Sequence, residues 1–429
     1  METFRLSVKE TLTYDVVVCG GGFAGAAAAW AAASNGARTL VIDSGGELSG
    51  DISKGLVTQI LDPKGKGGLV RELNDFLNAG GNTAARRGPR YDENGRRIPG
   101  TVVNMEYVKY YLEKRCLDAG VDILYHSIVA GCELEGDAIS SLGVATECGS
   151  YRVKAKVYID ASGNGLLAAM AGCEYEIGHP ETGEPQPASI STLVTGLPND
   201  IIGINTAEKE RIKRELAEKG VPISAEFVTV FEYAVDNIWM LSFNSVFNLM
   251  CDDALAMSKA ISEARAECVD VIDKMKRLPE YRDLNLVQTS SHIGIREGRR
   301  IKGRYWLTYD DITTGKKFED AVCRVTFCID VHRISPDDHF DHSKGKRMVP
   351  YHIPYRSLLP IGCGNLLLAG RCISGDFYAH SSYRVIGDVT PTGEAAGYAA
   401  SVCVKQGIAP ADVDGKEVSA FIASRGYEL

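Results

Sequence analysis

The chain has twelve cysteines but no C-x-x-C pair and no compact cysteine framework. That pattern excludes the disulfide scaffold of a small secreted domain, and the thiols read as reduced groups in a cytoplasmic protein. The closest pair, Cys323 and Cys328, lies in the strand-like run AVCRVTFCID. Their odd spacing turns the two side chains to opposite faces, so they read as small buried apolar groups, and neither a metal nor an iron–sulfur cluster is expected. Long hydrophobic runs are also missing. The longest, Ala24 to Ala33, falls well short of the roughly 18 residues that suggest a membrane span. The N-terminal METFRLSVKE lacks the apolar core of a signal peptide, so neither a membrane nor an export role is expected. Positive charge is in deficit, with 47 Lys+Arg against 56 Asp+Glu and a net charge of −9, which disfavours a nucleic-acid partner. No P-loop, no Ser-His-Asp spacing and no basic stripe interleaved with aromatics is found.

What is present in quantity is glycine, 45 residues of 429, and a hydrophobic content of 45 % sufficient for two or three packed domains. The stretch Tyr14 to Asp43, YDVVVCGGGFAGAAAAWAAASNGARTLVID, places glycine where chemistry can use it. Val16, Val17 and Val18 form a buried-strand run, and Gly20, Gly22 and Gly25 follow at G-x-G-x-x-G spacing. The first glycine permits the tight turn, the second lets a pyrophosphate approach the backbone, and the third lets helix and strand pack closely. Free N–H groups at the start of the alanine-rich helix, Ala26 to Asn35, face the phosphates. Gly36 stops that helix, a strand resumes at Thr39 to Ile42, and Asp43 stands where a carboxylate accepts from ribose hydroxyls. The motif predicts a dinucleotide clasp and leaves NAD and FAD both open.

Beyond Asp43 a Gly/Ser-rich loop precedes a short amphipathic helix over Val70 to Leu77. The segment from Gly80 to Gly100, carrying Arg86, Arg87, Arg90, Arg96 and Arg97, reads as an exposed connection, with a substrate lid as the sharper alternative. A helix is expected from Asn104 to Ala119, then strand material and a hairpin closing in Val157 to Ile159, which delivers a second glycine-bearing turn from Asp160 to Gly165. After Gly172 prolines punctuate the chain. A charged helix (AEKERIKRELAEKG), short strands EFVTVFEY and NIWMLSF, a long helix from about Asp252 to Met275 and further strands to about Asp330 suggest a mixed unit. Toward the C-terminus, NLLLAGR is again a buried strand running into glycine. The stretch CISGDFYAHSSYRVIGDVT reads as a loop, and a final helix is expected to start near Pro391 and end at Gly407.

Four stretches carry a resemblance: residues 16–43, VYIDASGNG at 157–165, HIGIREGRRIKGRYWLT at 292–308, and IPYRSLLPIGCGNLLLAGRCIS with AHSSYRVIGDVTPTGEAAGYAA between 353 and 400. Together they resemble the FAD-dependent oxidoreductases of the glutathione-reductase-like, two-dinucleotide-fold superfamily, related to the fumarate reductase flavoproteins. The match is weakest from about 176 to 285. The resemblance implies an α/β protein in which a Rossmann-like FAD-binding domain, a central parallel sheet with helices, is built from residues 1–175 and 350–429. A mixed α+β substrate or cap domain spans 176–349. It implies FAD held by Gly20, Gly22, Phe23, Ala24 and Gly25, by Asp43 at the ribose, and by Ser44, Gly50, Asp51, Ala161 and Gly163. Gly370 and Arg371 lead to the flavin. The helix bearing Gly393, Glu394, Ala395 and Ala396 aims its N-terminus at the flavin pyrimidine edge, where its dipole favours the negative charge of a reduced ring. Many relatives carry glutamine at the position of Glu394, so this carboxylate is expected to point away or to cap.

Flavin chemistry leaves the protein to supply a dry pocket, substrate-orienting groups and a proton donor or acceptor. His380, in the expected loop, is the leading acid or base. Arg384 either contacts substrate or braces the loop through Asp388. Arg296, with Arg299 and Arg300, offers substrate contact or salt bridges between domains. His352 and Tyr355 stand before the flavin-side strand as donors to a substrate oxygen, with His332 a weaker candidate. A His332, His339, His342 metal site competes with a plain polar loop. The expected reaction is hydride transfer between flavin N5 and a small polar molecule, either dehydrogenation beside a hydroxyl or amine or reduction of an activated C=C. NAD(P)H or another electron donor or acceptor stands as a second partner, and the oligomeric state is not readable. The rival readings are a nicotinamide-dependent Rossmann dehydrogenase and a flavin-binding electron-transfer or RNA-modifying protein.

Overall fold

The computed structural model describes residues 7–85, 100–198, 206–338 and 345–429. The arginine-rich connection from Arg86 to Arg97, and His339 and His342, lie outside the described residues.

The centre is a five-stranded parallel sheet in the order Leu366–Leu368, Val157–Asp160, Val16–Cys19, Thr39–Ile42, Asp122–Leu124. Helices on both faces bury such strands, which is why they read as continuous apolar runs; all residues of Val16–Cys19, Thr39–Ile42 and Val157–Asp160 are buried. The sheet thus takes strands from both ends of the chain. The helix Phe23–Ser34 packs along the long C-terminal helix Ile386–Gln406. Contact is close enough that a Cβ on Gly393 would stand 2.1 Å from the Ala24 carbonyl oxygen, and one on Gly397 2.1 Å from that of Ala28. Small residues facing one another are what permit this approach.

A second sheet, ordered Val8–Thr13, Gly149–Lys154, Ala138–Thr146, Ser127–Glu135, flanks the first. His126, at φ +48°, turns the chain between Asp122–Leu124 and Ser127–Glu135, so adjacent strands serve different sheets. Val8–Thr13 has no counterpart in the sequence reading. It is an exposed edge strand and therefore carries no burial alternation to betray it.

Between Ala188 and Ile295 lies a separate buried cluster. It is built on an antiparallel sheet ordered Thr229–Glu232, Trp239–Ser242, Ser191–Thr195, Asn285–Thr289, with the helix Ala254–Lys276 packed on it. Asp253 caps that helix by accepting from the Ala256 N–H at 2.9 Å. Residues Ile301 to Val325, by contrast, contribute to the main core.

Several expectations require correction. The stretch after Arg371 is not a loop throughout: Phe377–Tyr383 is a helix, with Asp376 accepting from the Tyr378 and Ala379 N–H groups at 3.0 and 2.8 Å. The final helix begins at Ile386, leaving Pro391 inside it. Its first turn is fixed by tertiary contacts that proline spacing does not reveal. Gly387 donates to the Leu61 carbonyl at 3.0 Å, and a Cβ there would meet the Asp62 carbonyl oxygen at 2.1 Å. Cys328 is exposed, because the strand Ala321–Val325 ends before it, whereas Cys323 is buried. All twelve cysteines are unpaired. Among the described residues no helix is long and apolar enough to cross a membrane.

Candidate functional site

A cleft of ≈ 600 Å³ opens at the carboxyl ends of the parallel strands, where an open α/β sheet binds its ligand. Its first half is the glycine turn. Gly20 adopts φ +104°, and a Cβ there would stand 2.5 Å from the Ala161 carbonyl oxygen, so the turn needs glycine for conformation and space alike. A Cβ on Gly25 would lie 1.8 Å from the Gly20 carbonyl oxygen. Gly25 therefore serves strand–helix packing and does not line the cleft. Gly22 differs: it caps the helix Phe23–Ser34 at φ −67°, and the nearest atom to an added Cβ is Gly50 Cα at 3.8 Å. Its glycine identity leaves the space above the helix N-terminus open, a cradle sized for a pyrophosphate.

Asp43 lines the cleft with Ser44. One carboxylate oxygen accepts from Gly21 N–H at 2.7 Å and the other from Gly45 N–H at 2.7 Å and from the Lys54 ammonium. It ties the glycine turn to the following loop, and the bond to Lys54 was invisible in a Gly/Ser-rich stretch. Phe23, Ala24, Gly50, Asp51, Ala161 and Gly163 also line the cleft. Asp160, fully buried behind it, accepts from Ser162 and from the Ala168 N–H, organising the second turn.

Gly370 and Arg371 stand at the middle of the cleft. Arg371 reaches Asp51 at 3.1 Å and Asn164 Oδ1 at 3.0 Å, bridging the short turn Gly50–Ile52 and the second glycine turn. Arg299, at the wall, donates to the Asn164 carbonyl at 3.1 Å and pairs with Asp252 at 3.5 Å. Arg300 is instead buried against Glu297. The far end has apolar lining, Ile293, Ile295, Ile386 and Val389, with Arg384 among them.

Gly393, Ala395 and Ala396 do not line the cleft; they lie about two turns inside the helix, buried, with Gly393 in its contact with Phe23–Ser34. The helix N-terminus that faces the cleft is at Ile386, which corrects the expected placement. Glu394 points away and caps a neighbouring helix, Gly68–Ala79, accepting from Leu69 N–H at 2.7 Å, Tyr427 Oη at 2.8 Å and Arg425 Nε at 3.1 Å.

Arg384 lines the cleft, but its brace is not Asp388. Asp388 is buried on Lys66 at 2.7 Å, and Lys66 also pairs with Asp62 at 3.2 Å. Arg384 donates to the carbonyls of Arg296 at 2.9 Å and Asp330 at 2.7 Å and to Gln186 Oε1 at 3.1 Å. Arg296 donates to the Pro187 carbonyl at 2.6 Å. His332 Nε2 lies 3.6 Å from Asp330, and both side chains keep part of their surface open, 28 % and 42 %, but they stand behind Arg384 and do not themselves line the cleft. Burial opposes ionisation of Asp330, but His332, Arg384 and Arg296 outweigh it and hold the carboxyl below its usual range. Burial and then the Arg296 charge push His332 down to about 4, leaving it neutral at pH 7.

His380 sits on the helix Phe377–Tyr383, fully buried against Tyr383, with neither ring nitrogen hydrogen-bonded, and it does not line the cleft. Burial and then the charges of Arg384, Arg300 and Arg371 hold it far below the usual histidine range. His352 accepts from Phe318 N–H at 3.3 Å, and Tyr355 donates to the Pro410 carbonyl at 2.8 Å; neither lines the cleft. Tyr355 instead borders a separate open depression of ≈ 620 Å³ among charged residues such as Lys317, Asp320 and Lys416, away from the glycine turns.

A parallel sheet with a glycine-turn clasp, a second glycine turn and a long cleft reaching a C-terminal helix N-terminus defines a dinucleotide-binding flavoprotein. The FAD-dependent oxidoreductase profile matches residues 15–422, and the chain belongs to that family, with FAD as its cofactor. A digeranylgeranylglycerophospholipid reductase of Methanococcus aeolicus is 30 % identical over 164 residues, which is 37 % of this chain and 40 % of that protein. The chain therefore spans under half the length of that relative. An uncharacterized protein of the nifH2 5′ region of Methanosarcina barkeri is 31 % identical over 181 residues, 40 % of this chain and 94 % of that protein. Among solved structures, a triple variant of the flavin-dependent brominase Bmp2 aligns over 96 % of this chain and 84 % of its own at 13 % identity and a TM-score of 0.51, a likeness of fold.

Proposed function

We propose that this oxidoreductase exchanges a hydride with a small polar organic substrate bound at the far end of the cleft, beside Arg384. The observation that carries the reading is the change of lining along one cavity. Glycine turns and Asp43 occupy one end, and apolar walls with Arg384 occupy the other, with Gln186, Asp330 and Arg296 holding Arg384 from behind the lining. The Gly20 to Gly22 turn and Asp43 would hold the ADP half of FAD, and Gly370, Arg371 and the Ile386 helix start would hold the flavin half. When bound, FAD supplies the two-electron chemistry. Ile293, Ile295, Ile386 and Val389 exclude water from the substrate, and Arg384 orients it. His332, neutral with Nε2–H toward the Asp330 carboxylate, accepts or returns the accompanying proton at Nδ1.

Reduction of an activated C=C and dehydrogenation beside a hydroxyl or amine both suit this arrangement. The name of the Methanococcus aeolicus relative supports the reductive direction. The motifs at 14–43 and 365–400 support a place near the two-dinucleotide-fold and fumarate reductase flavoproteins, with NAD(P)H as a second partner.

The test is to purify the protein, record its visible spectrum, identify the flavin released on denaturation, and screen anaerobic bleaching with hydroxy and amino donors and reoxidation with activated alkenes. A yellow protein that releases FAD and is bleached or reoxidised by one of these classes is expected. A flavin-loaded protein inert to all of them, yet rapidly exchanging electrons with another protein, would favour the electron-transfer reading.

A further inference from the structure

The charges around the far end of the cleft do not balance. Arg300 is paired with Glu297, and Arg371 with Asp51. What is left is two guanidinium groups, Arg296 and Arg384, against one carboxylate, Asp330, with His332 neutral. Arg384 is held at 3.6 Å from the Asp330 carboxylate. Arg296 makes no ion pair among the described residues, and its hydrogen bond goes to a carbonyl. Beside them Gln186, 2 % exposed, has its Oε1 engaged by Arg384 and by the His332 N–H at 3.1 Å, while its Nε2 has no partner. A buried amide donor left unmade costs about 1–3 kcal/mol, and a half-buried guanidinium without a counter-ion adds to that, so such a set is completed by an anionic ligand.

We propose that Arg296, Gln186 and Arg384 form a subsite for a carboxylate group of the substrate, making the substrate of this enzyme a small organic acid. The inference rests on the reading of the Arg384 end of the cleft as the substrate end, with Arg296 and Gln186 directly behind Arg384. The complementary chemistry is specific: Arg296 offers a planar pair of donors, which matches the two oxygens of a carboxylate, and Gln186 Nε2 adds a third donor. Arg384 supplies charge without further rearrangement, because the carbonyls of Arg296 and Asp330 already fix its terminal nitrogens. Burial, and then the neighbouring Arg384, pull the Arg296 guanidinium down to about 10, as befits a cation waiting for a counter-ion. The apolar residues Ile293 and Ile295, just before Arg296 in the chain, leave the rest of the acid facing a dry wall.

The experiment uses the FAD-loaded protein and titrates it with acetate, pyruvate and succinate, with the corresponding amides, and with inorganic phosphate. Heat of binding and perturbation of the visible flavin bands are both followed. The carboxylates are expected to bind saturably and to shift the flavin bands, with the amides at least tenfold weaker. Arg296→Gln is expected to weaken carboxylate binding at least tenfold while FAD content stays at that of the parent. Arg296→Lys, which keeps the charge but not the paired donors, is expected to lie between them. Equal binding of acids and amides, phosphate binding without carboxylate binding, or carboxylate affinity unchanged in Arg296→Gln overturns the proposal. Loss of FAD from both Arg296 variants, with carboxylates silent in the parent, overturns it too, by assigning the charge to the cofactor. A yellow parent bleached by donors but blind to every carboxylate sinks this subsite alone, whereas a parent that never binds FAD sinks the broader reading.

Discussion

The three glycines of the clasp look alike in sequence and do different physical work. Gly25 is required by the protein itself, since its missing Cβ leaves room for a backbone oxygen 1.8 Å from where that Cβ would stand. Gly22 is bordered by open cleft. Gly25→Ala should therefore destabilise the apoprotein by several kcal/mol, as forced overpacking against backbone does. Gly22→Ala should leave apoprotein stability within about 1 kcal/mol in urea titrations and still lose FAD, read as flavin absorbance per protein. His380 makes a second prediction. Burial keeps its imidazole neutral in the folded state, while the unfolded chain takes up a proton near pH 6.5. Its contribution to stability is full above that pH and falls as the pH drops below it. In His380→Phe the slope of unfolding free energy with pH, measured between about pH 5 and 6, should be shallower by about 1 kcal/mol per pH unit. At this scale the sequence made Gly20, Asp43 and Arg384 legible, because motif spacing or flanking pattern marks them. It pointed to His380 on residue type alone, and only burial reveals a histidine sealed from the cleft. Gln186 and Lys54 carry no local signal, since their roles depend on partners far away in the chain.

Among the elements, strands buried on both faces and long amphipathic helices were legible, as Val157–Asp160 and Ala254–Lys276 show. The helix Phe377–Tyr383 and the true start of the last helix were not. Asp376 is a sound N-cap signal, but the helix it opens is only seven residues long, too short for a periodic pattern to mark it. Glu394 shows how one element finishes another. It lies inside the last helix, and its carboxylate satisfies the N-terminus of Gly68–Ala79 while meeting Arg425, which also stacks over Trp30 and reaches Glu72 at 2.7 Å. Removing the carboxylate leaves the Leu69 N–H and the buried Tyr427 hydroxyl without their acceptor and strips Arg425 of one of its two carboxylates. Glu394→Ala should cost about 3–5 kcal/mol in urea denaturation of the apoprotein. Glu394→Gln, which keeps an acceptor for Leu69 N–H, should cost clearly less, and both should release FAD of unchanged identity.

For the whole molecule, the cofactor spans parts that are far apart in sequence, so binding and folding are linked. Saturating FAD at about a hundred times its dissociation constant should raise unfolding free energy by about 2.7 kcal/mol, visible as a higher Tm than that of the apoprotein. A smaller shift would mean that the unfolded chain also binds flavin. The assembly of the sheet from both chain ends was legible, because NLLLAGR repeats the strand-into-glycine texture of the first motif. The stretch from 176 to 285 was legible only as mixed elements, since its sheet pairs strands whose neighbours are set by packing. The contact between Phe23–Ser34 and Ile386–Gln406 also sets an order of events during synthesis. At ribosomal rates of roughly 5–20 residues per second, the Ala24 and Ala28 face waits tens of seconds for Gly393 and Gly397 to emerge. Through that interval the nascent chain shows a bare alanine ridge to its surroundings, and whatever shelters that ridge, chaperone or tunnel wall, governs the yield of enzyme ready to receive its flavin.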